Sequence, residues 1–443
     1  MPQTKPRGKR EQAEEVESEQ GEMQAREGEA TTATNRVFLY NFANRVRKLP
    51  FVSIGVRFLA NVEALNMVET AGNLNRHRTV PIVIFRDGKY SIKWYPALSG
   101  ESLAHALQYN LSILEKSTNS NNTKLCYFCS IGEFLKHAAL DFYKVILNNL
   151  SSMPDWEKDL INNYNRMTEQ EIEKAIVTNC IVEDLGGFVV ATAATQGTEG
   201  SGVSVRRTSA FQFSYAIPTE DAIEEGATST DVQMQVRMAN IAQSLANAVN
   251  YKKTPIQAPF NKEIASTTYS FIFNFDADKV CVSSYTNSEL CDESEKKRRA
   301  KLLLDALKLV IDGNFGASKS RYNPFIEREV IVAAVSWGDI LFTVSSPAMK
   351  LEDFINETLE RAYSYVKEFT NLKISIYVWA NAGKRITING TELKQYLSSY
   401  ITSKQGKQVD NTNRYMIGDN LTIEYIESYS HMDLIEKIKG EIG

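Results

Sequence analysis

Histidine, cysteine and long apolar runs are scarce in this chain, and each shortage closes a route to function. Four histidines (His77, His105, His137, His431) stand far apart, without the close spacing that a metal site on one helix needs. Five cysteines make an odd, sparse set. Cys126 and Cys129 have metal-ligand or redox spacing, but no second CxxC and no histidine pair accompanies them. They read as two half-buried cysteines on a strand, and no metal is expected. A Cys281–Cys291 disulfide stays open, since cytosolic proteins of thermophiles carry such bonds. The longest wholly apolar stretches, such as Val330–Val335, fall far short of the roughly 20 residues that span a bilayer. The first thirty residues are polar and carry no signal peptide, so a soluble, cytoplasmic protein with no membrane partner is expected. Catalytic signatures are missing as well: there is no HExxH, no phosphate-binding P-loop, no GxSxG elbow and no GxGxxG after a strand. With no such constellation, neither a catalytic residue nor a cofactor is expected.

What the chain does have is an uneven distribution of charge. The 443 residues carry a net charge of −4. From Arg36 to Tyr95, however, ten Lys and Arg face only three acids, Glu63, Glu69 and Asp87. A concentrated basic stretch on an acidic protein points to a polyanion surface, because evenly spread charge would steer nothing.

Pattern along the chain indicates an α+β fold. Residues 1–35 are rich in Gln, Glu, Ala and Thr and cannot bury enough surface to order themselves. A buried strand is expected at 52–60, then a basic loop to Val80. A hairpin should follow, Pro81–Phe85 with Tyr90–Tyr95, around the turn dipeptide Asp87-Gly88. Ser99 should cap a helix running to about Lys116. Helices are expected at 131–150, 155–165 and 169–178. The β-rich runs 188–195 and 203–215 should form a long hairpin whose tip, 196–202, carries three glycines, a composition suited to a mobile turn. Beyond it the pattern suggests a helix at 231–249, a strand at 267–275, a helix at 298–311, strands at 330–335 and 340–344, a helix at 351–369 and a strand at 373–379. The β-α-β-β-α-β flavour suggests a ferredoxin-like core with long insertions.

Four clusters fit an extended single-strand track. In the segment from Asn73 to Arg78, Arg76 and Arg78 offer forked donors for phosphates. His77 adds a donor or a stacking ring, and Asn73 and Asn75 supply amides. The positive bias extends to Arg57. Ser99 and Gly100 open a helix straight after a strand, an arrangement that can seat an anion, and His105 lies on its second turn. Arg206 and Arg207 follow the glycine-rich tip. Lys319 and Arg321 sit in a small-residue loop, 313–324, where a chain could approach closely.

Taken in order, these pieces resemble the backbone subunit of type I CRISPR interference complexes (Cascade), most closely the archaeal type I-A, DevR or Csa2-like branch. The residues carrying the resemblance are Ser53–Asn66, Gly72–Arg78, Pro96–His105, Val182–Phe188, Val205–Phe213 and Gly313–Arg321. Related backbones often carry basic residues early in the helix after the Ser-Gly turn, where this chain has Ala104 and His105. The resemblance implies an open-hand fold: an RNA-recognition-motif-like, ferredoxin-like palm (36–116 and 219–350), a helical finger insertion (117–180) and a β-hairpin thumb (181–218). Residues 1–35 would be a disordered charged tail and 351–443 a C-terminal α/β segment. The implied function is non-catalytic: binding guide crRNA, polymerising with other copies of itself into a helical filament, joining other Cascade subunits, and presenting the guide to target DNA. Two readings compete. One is a type III-like backbone that cleaves target RNA, for which the 60–79 loop offers only Glu63 and Glu69. The other is a free-standing RNA-binding regulator.

Overall fold

The computed structural model describes residues 45–146, 152–191, 204–237, 248–249, 258–409 and 412–443. The expected tail at 1–35 and the glycine-rich tip at 196–202 therefore lie outside the described residues. Residues 282–289 form a short unit with residues 45 and 46, and within it Arg45 pairs with Glu289 at 3.1 Å. The larger unit comprises 47–281 with 290–443.

Strand β1 (Phe51–Glu63) leads into a hairpin, β2 (Met67–Ala71) with β3 (Leu74–His77), where the sequence suggested a loop. A second hairpin follows, β4 (Thr79–Arg86) with β5 (Lys89–Pro96). Asp87 and Gly88 both have positive φ at its turn, as a two-residue hairpin loop requires. Helix α1 (Gly100–Thr118) is capped by Ser99, whose hydroxyl accepts from Ser102 N. Among the described residues, five short α-helices come next: α2 (Tyr127–Ile131), α3 (Leu140–Ile146), α4 (Asp155–Asn163), α5 (Glu169–Asn179) and α6 (Ile181–Gly186). The helix expected over 131–150 breaks because Gly132, Phe134, Lys136 and His137 all adopt positive φ. Cys126 and Cys129 lie on no strand: Cys126 caps α2, Cys129 sits within it, and both are fully buried.

Strands β6 (Phe188–Ala191) and β7 (Ser204–Arg207) pair antiparallel. Gly187, at φ +68°, admits no side chain, since a Cβ there would stand 2.6 Å from the Arg207 carbonyl oxygen. The second run then splits, and β8 (Phe211–Phe213) and β9 (Ile217–Pro218) leave the hairpin to pair with another strand. After α7 (Glu220–Glu224) comes β10 (Ser229–Arg237), so 231–237 is strand where a helix was expected, and 238–247 of that expected helix lie outside the described residues. Asp231-Val-Gln-Met-Gln alternates polar and apolar residues with period two, which suits a strand. It lies antiparallel along β11 (Ala258–Asp276) from Ser229↔Ser266 to Arg237↔Ala258. Helix α8 (Glu293–Ile311), β12 (Phe325–Trp337), α9 (Leu351–Glu368) and β13 (Lys373–Asn381) follow. The expected strand at 340–344 makes no ladder; Phe342 N donates to Ser336 Oγ and Val344 N to Ser53 Oγ instead. The chain ends with a small hairpin, β14 (Thr387–Ile388) with β15 (Thr391–Glu392), then α10 (Leu393–Ser403), β16 (Lys407–Val409), β17 (Arg414–Ile417), β18 (Leu421–Ser428) and α11 (Met432–Ile442).

Among the described residues, twelve strands make one mixed sheet, whose path runs β16-β17-β18-β13-β12-β1-β11-β3-β2, with β8, β9 and β10 also on β11. The C-terminal segment thus extends the central sheet. Period two along a strand sends alternate residues to opposite faces, and both faces are covered. Ile331, Ala333 and Val335 of β12 join a core with Leu107 of α1, Leu307 of α8 and Ile438 of α11. Val330, Val332 and Ala334 join a second core with Phe354 of α9 and Leu397 of α10. Gly55 permits the close approach of α9, because a Cβ there would meet a Phe354 ring carbon at 2.8 Å. The result is an α+β architecture in which β2 and β3 occupy one end of the sheet path. No helix among the described residues is long and apolar enough to cross a membrane.

Candidate nucleic-acid interface

The site begins with the β2–β3 hairpin. Gly72, at φ +61°, makes its turn, and β3 lies parallel to β11 with Leu74 opposite Asn261 and Asn75 opposite Lys262. Strand alternation then sorts its side chains. His77 points into the protein, and Arg76 is exposed. His77 Nε2 lies 2.6 Å from the Glu63 carboxylate, both side chains fully buried. Its other nitrogen, Nδ1, faces the Arg78 carbonyl at 2.8 Å. Both ring nitrogens face acceptors, so the imidazolium fits best. Burial alone would lower the His77 pKa, but the Glu63 carboxylate, helped by the Arg78 carbonyl and Glu263, raises it above its ordinary value. Glu63 also accepts from Tyr269 Oη at 2.7 Å and from Leu65 N at 2.7 Å.

Two clefts open on either side of this anchor. The first, of about 490 Å³, is lined by Asn66, Met67, Arg78, Ser99, Ser102 and His105, among others, with Gly316 and Ala317. Arg78 Nε donates to Asn66 Oδ1 at 2.9 Å, and its guanidinium lies 6.0 Å from the Tyr215 ring. Asn66 in turn donates to Ser99 Oγ at 3.1 Å. Gly100 is demanded by packing, since a Cβ would stand 2.7 Å from the Phe213 carbonyl oxygen. The helix start is a poorer anion seat than its sequence suggested: Ser99 is buried, and Glu101 in the first turn already complements the dipole. His105 is exposed beside Phe134, ring centroids 5.1 Å apart.

The second cleft, of about 380 Å³, is lined by Asn75, Gln235, Phe260, Lys262, Ser318, Ser320 and Arg321. Arg321 donates to Gln235 Oε1 at 2.6 Å and lies 5.7 Å from the Phe260 ring centroid. Lys262 donates to Ser318 Oγ at 2.5 Å and lies over the Tyr322 ring. Burial lowers the Lys262 pKa, and the Arg321 guanidinium lowers it further. Two cations held against each other beside aromatic faces suit a shared anion with a stacked base. The 313–324 loop lines both clefts, Asn75 of β3 lines the second, Arg78 just beyond β3 lines the first, and Ala317 N donates to Leu65 O at 2.9 Å.

Of the residues expected to bind, the structure groups Arg78, Ser99 and His105 at the first cleft and Asn75 and Arg321 at the second. Asn73 and Arg76 are exposed on the hairpin that separates them. Four expectations need correction, because their side chains are spent on the protein itself. Arg57 is buried, ion-paired with Asp221 and donating to Met349 O at 2.8 Å. His77 is locked to Glu63. Arg207 is buried against Asp184 at 2.5 Å and Glu173 at 3.2 Å. Lys319 folds back onto the Gly313 carbonyl and closes its own loop. Arg206 is exposed but lines neither cleft. Sequence reading missed Asn66, Gln235, Phe260 and Lys262. The last three lie on β10 and β11, more than 150 positions from the basic segment, so only the sheet reveals them.

Comparison with known proteins agrees with the resemblance. The family model "CRISPR-associated negative auto-regulator DevR/Csa2" matches residues 54–359. The "CRISPR-associated aCascade subunit Cas7/Csa2 2" of Saccharolobus solfataricus is 31% identical over 314 residues, 70% of this chain and 86% of that protein. The "CRISPR-associated protein Cas7/Csa2 1" of the same organism is 30% identical over 315 residues, 70% of this chain and 87% of that protein. Among solved structures, a chain of a "CRISPR RNA-guided surveillance complex, pre-nicking" aligns with a TM-score of 0.42 at 10% identity, covering 89% of this chain and 100% of that one. The molecule is thus a CRISPR-associated protein with a mixed α+β fold. It belongs to the DevR/Csa2 family.

Proposed function

We propose that this protein is a guide-RNA-binding backbone subunit of a CRISPR interference complex, with no catalytic role of its own. It would polymerise along crRNA with other copies of itself, in the cytoplasm, and hold the guide for pairing with target DNA. The observation that carries this reading is the pair of clefts flanking β3, with Arg78 on one side and Lys262 and Arg321 on the other. A guide must be held whatever its spacer, so phosphate, sugar and stacking contacts should dominate over base edges. Arginine, lysine, amide and aromatic side chains supply those contacts. In this reading the sheet around β1, β11 and β12 is the ferredoxin-like palm, α2–α6 the finger lobe and β6–β7 the stem of the thumb.

Assembly with further copies and other subunits draws support from the β4–β5 hairpin. Val83, Ile92 and Trp94 on it are 62%, 66% and 66% exposed, and Val83 pairs with Ile92 across the strands. Contiguous apolar surface of this kind marks an interaction face. The non-catalytic reading draws support from Glu63, which is sequestered by three protein donors and presents no free carboxylate for a metal-assisted cut.

The test is to purify the full chain and image it with and without RNA at moderate salt. RNA-dependent helical filaments or arcs are expected. Monomers that ignore RNA, or cleavage of complementary RNA on adding magnesium, would overturn the proposal.

A further inference from the structure

The missing second half of the Cys126–Cys129 pair is present in space. Cys180 and Glu183 have the same i, i+3 spacing, which places two side chains on one helical face. The three thiol sulfurs and a Glu183 carboxylate oxygen all lie within 4.8 Å of one another, and all four residues are fully buried. A tetrahedral zinc ion with Zn–S bonds of about 2.3 Å needs sulfurs about 3.8 Å apart, which this cluster can reach by small side-chain rotations. We propose that Cys126, Cys129, Cys180 and Glu183 form a structural zinc site at the base of the helical segment.

The surroundings suit that ion. Three thiolates and a carboxylate around Zn²⁺ leave two net negative charges, too many to bury uncompensated. His137 Nδ1 lies 2.9 Å from Glu183, and Lys136 reaches the Gly186 carbonyl in the same segment at 3.1 Å. Lys136 offsets part of the excess, and His137 bridges Glu183 to Glu157, which lies 3.2 Å away on its far side. A histidine held against a ligating carboxylate fixes that carboxylate's orientation. Phe134, Lys136 and His137 all hold positive φ, a strained path that non-glycine residues keep where the surroundings dictate it. Gly186 belongs to the same arrangement, since a Cβ there would stand 3.0 Å from Lys136 Nζ. The site joins the two ends of the α2–α6 segment, where Ile181 N also donates to Lys124 O at 2.9 Å. Binding releases the cysteine protons and couples the metal to folding of that segment.

The test uses the full chain, purified without chelator, with zinc measured by inductively coupled plasma mass spectrometry. Stoichiometric zinc is expected in the wild type. It should be lost in a Cys126→Ser/Cys180→Ser variant and kept in Cys291→Ser. Replacement by cobalt should give thiolate-to-cobalt charge-transfer bands. Metal-free wild type that yields no such bands with cobalt under reducing conditions would overturn the proposal, as would zinc retained by the double variant or a Cys126–Cys129 disulfide found by mass spectrometry. If the double variant fails to fold, wild-type metal content and the cobalt spectrum decide alone. RNA binding is a separate readout, so failure here leaves the proposed function standing.

Discussion

The His77 imidazole rests 2.6 Å from the Glu63 carboxylate in a wholly buried pair, and that contact ties β3 to β1. With His77 inward, Arg76 is left exposed and Arg78 turns to the first cleft. One internal ion pair thereby sets the direction of the basic side chains around it.

This pair makes stability depend on pH. The His77 pKa is raised in the folded protein, so its contribution is complete below the unfolded value of about 6.5. That contribution is lost as pH climbs through the raised value. Urea midpoints should therefore fall on the alkaline side of pH 6.5. Glu63→Gln should lower the His77 pKa in an NMR titration and flatten that dependence; an unchanged titration would dissociate the two residues.

Arg76→Ala with Arg78→Ala should weaken binding similarly for unrelated RNA sequences. Each lost phosphate contact on a single strand removes about 0.7 from the slope of log K against log salt. The double variant should therefore lose about 1.4. Filter binding across a salt series measures it, and an unaltered slope would remove this hairpin from the interface.

Arg207→Ala should behave differently. It removes the guanidinium that pairs with the fully buried Glu173 and Asp184 side chains, and losing one partner of such a buried ion pair costs about 3–5 kcal/mol. Denaturant unfolding should show the loss; a folded variant of wild-type stability that binds RNA poorly would make Arg207 a contact residue after all.

Gly316 carries φ +82°, and a Cβ there would lie 2.7 Å from Leu65 Cβ. Gly316→Ala should cost about 1–3 kcal/mol through backbone strain and displace the loop that both clefts share. RNA affinity should drop while secondary structure by circular dichroism stays the same.

Ile92→Ser with Trp94→Ser should suppress filament growth without lowering the melting temperature, because both side chains are largely exposed. Light scattering with and without RNA reads the outcome.

Much of this architecture was legible wherever periodicity and turn chemistry agree. The Asp87-Gly88 hairpin, the Ser99-capped helix and the strands at 51–63 and 325–337 follow from local pattern. Reading failed where local composition conflicts with tertiary context. The 61–79 segment looks like a loop because basic residues, Asn and Gly interrupt it, yet pairing with β11 makes part of it a strand. Arginine at 57 or 207 cannot be told from arginine at 76 by type, because only the fold supplies the carboxylates that claim them. Cys180 carried no signal by itself and became informative only beside Cys126 and Cys129.

The most direct measurement is photo-crosslinking of 4-thiouridine-labelled RNA to the full chain, mapped by mass spectrometry. The account predicts crosslinks at residues lining or flanking the two clefts, such as Met67, His105, Tyr215 and Phe260. Crosslinks confined to the far end of the sheet, around β16–β18 and α10, would contradict it.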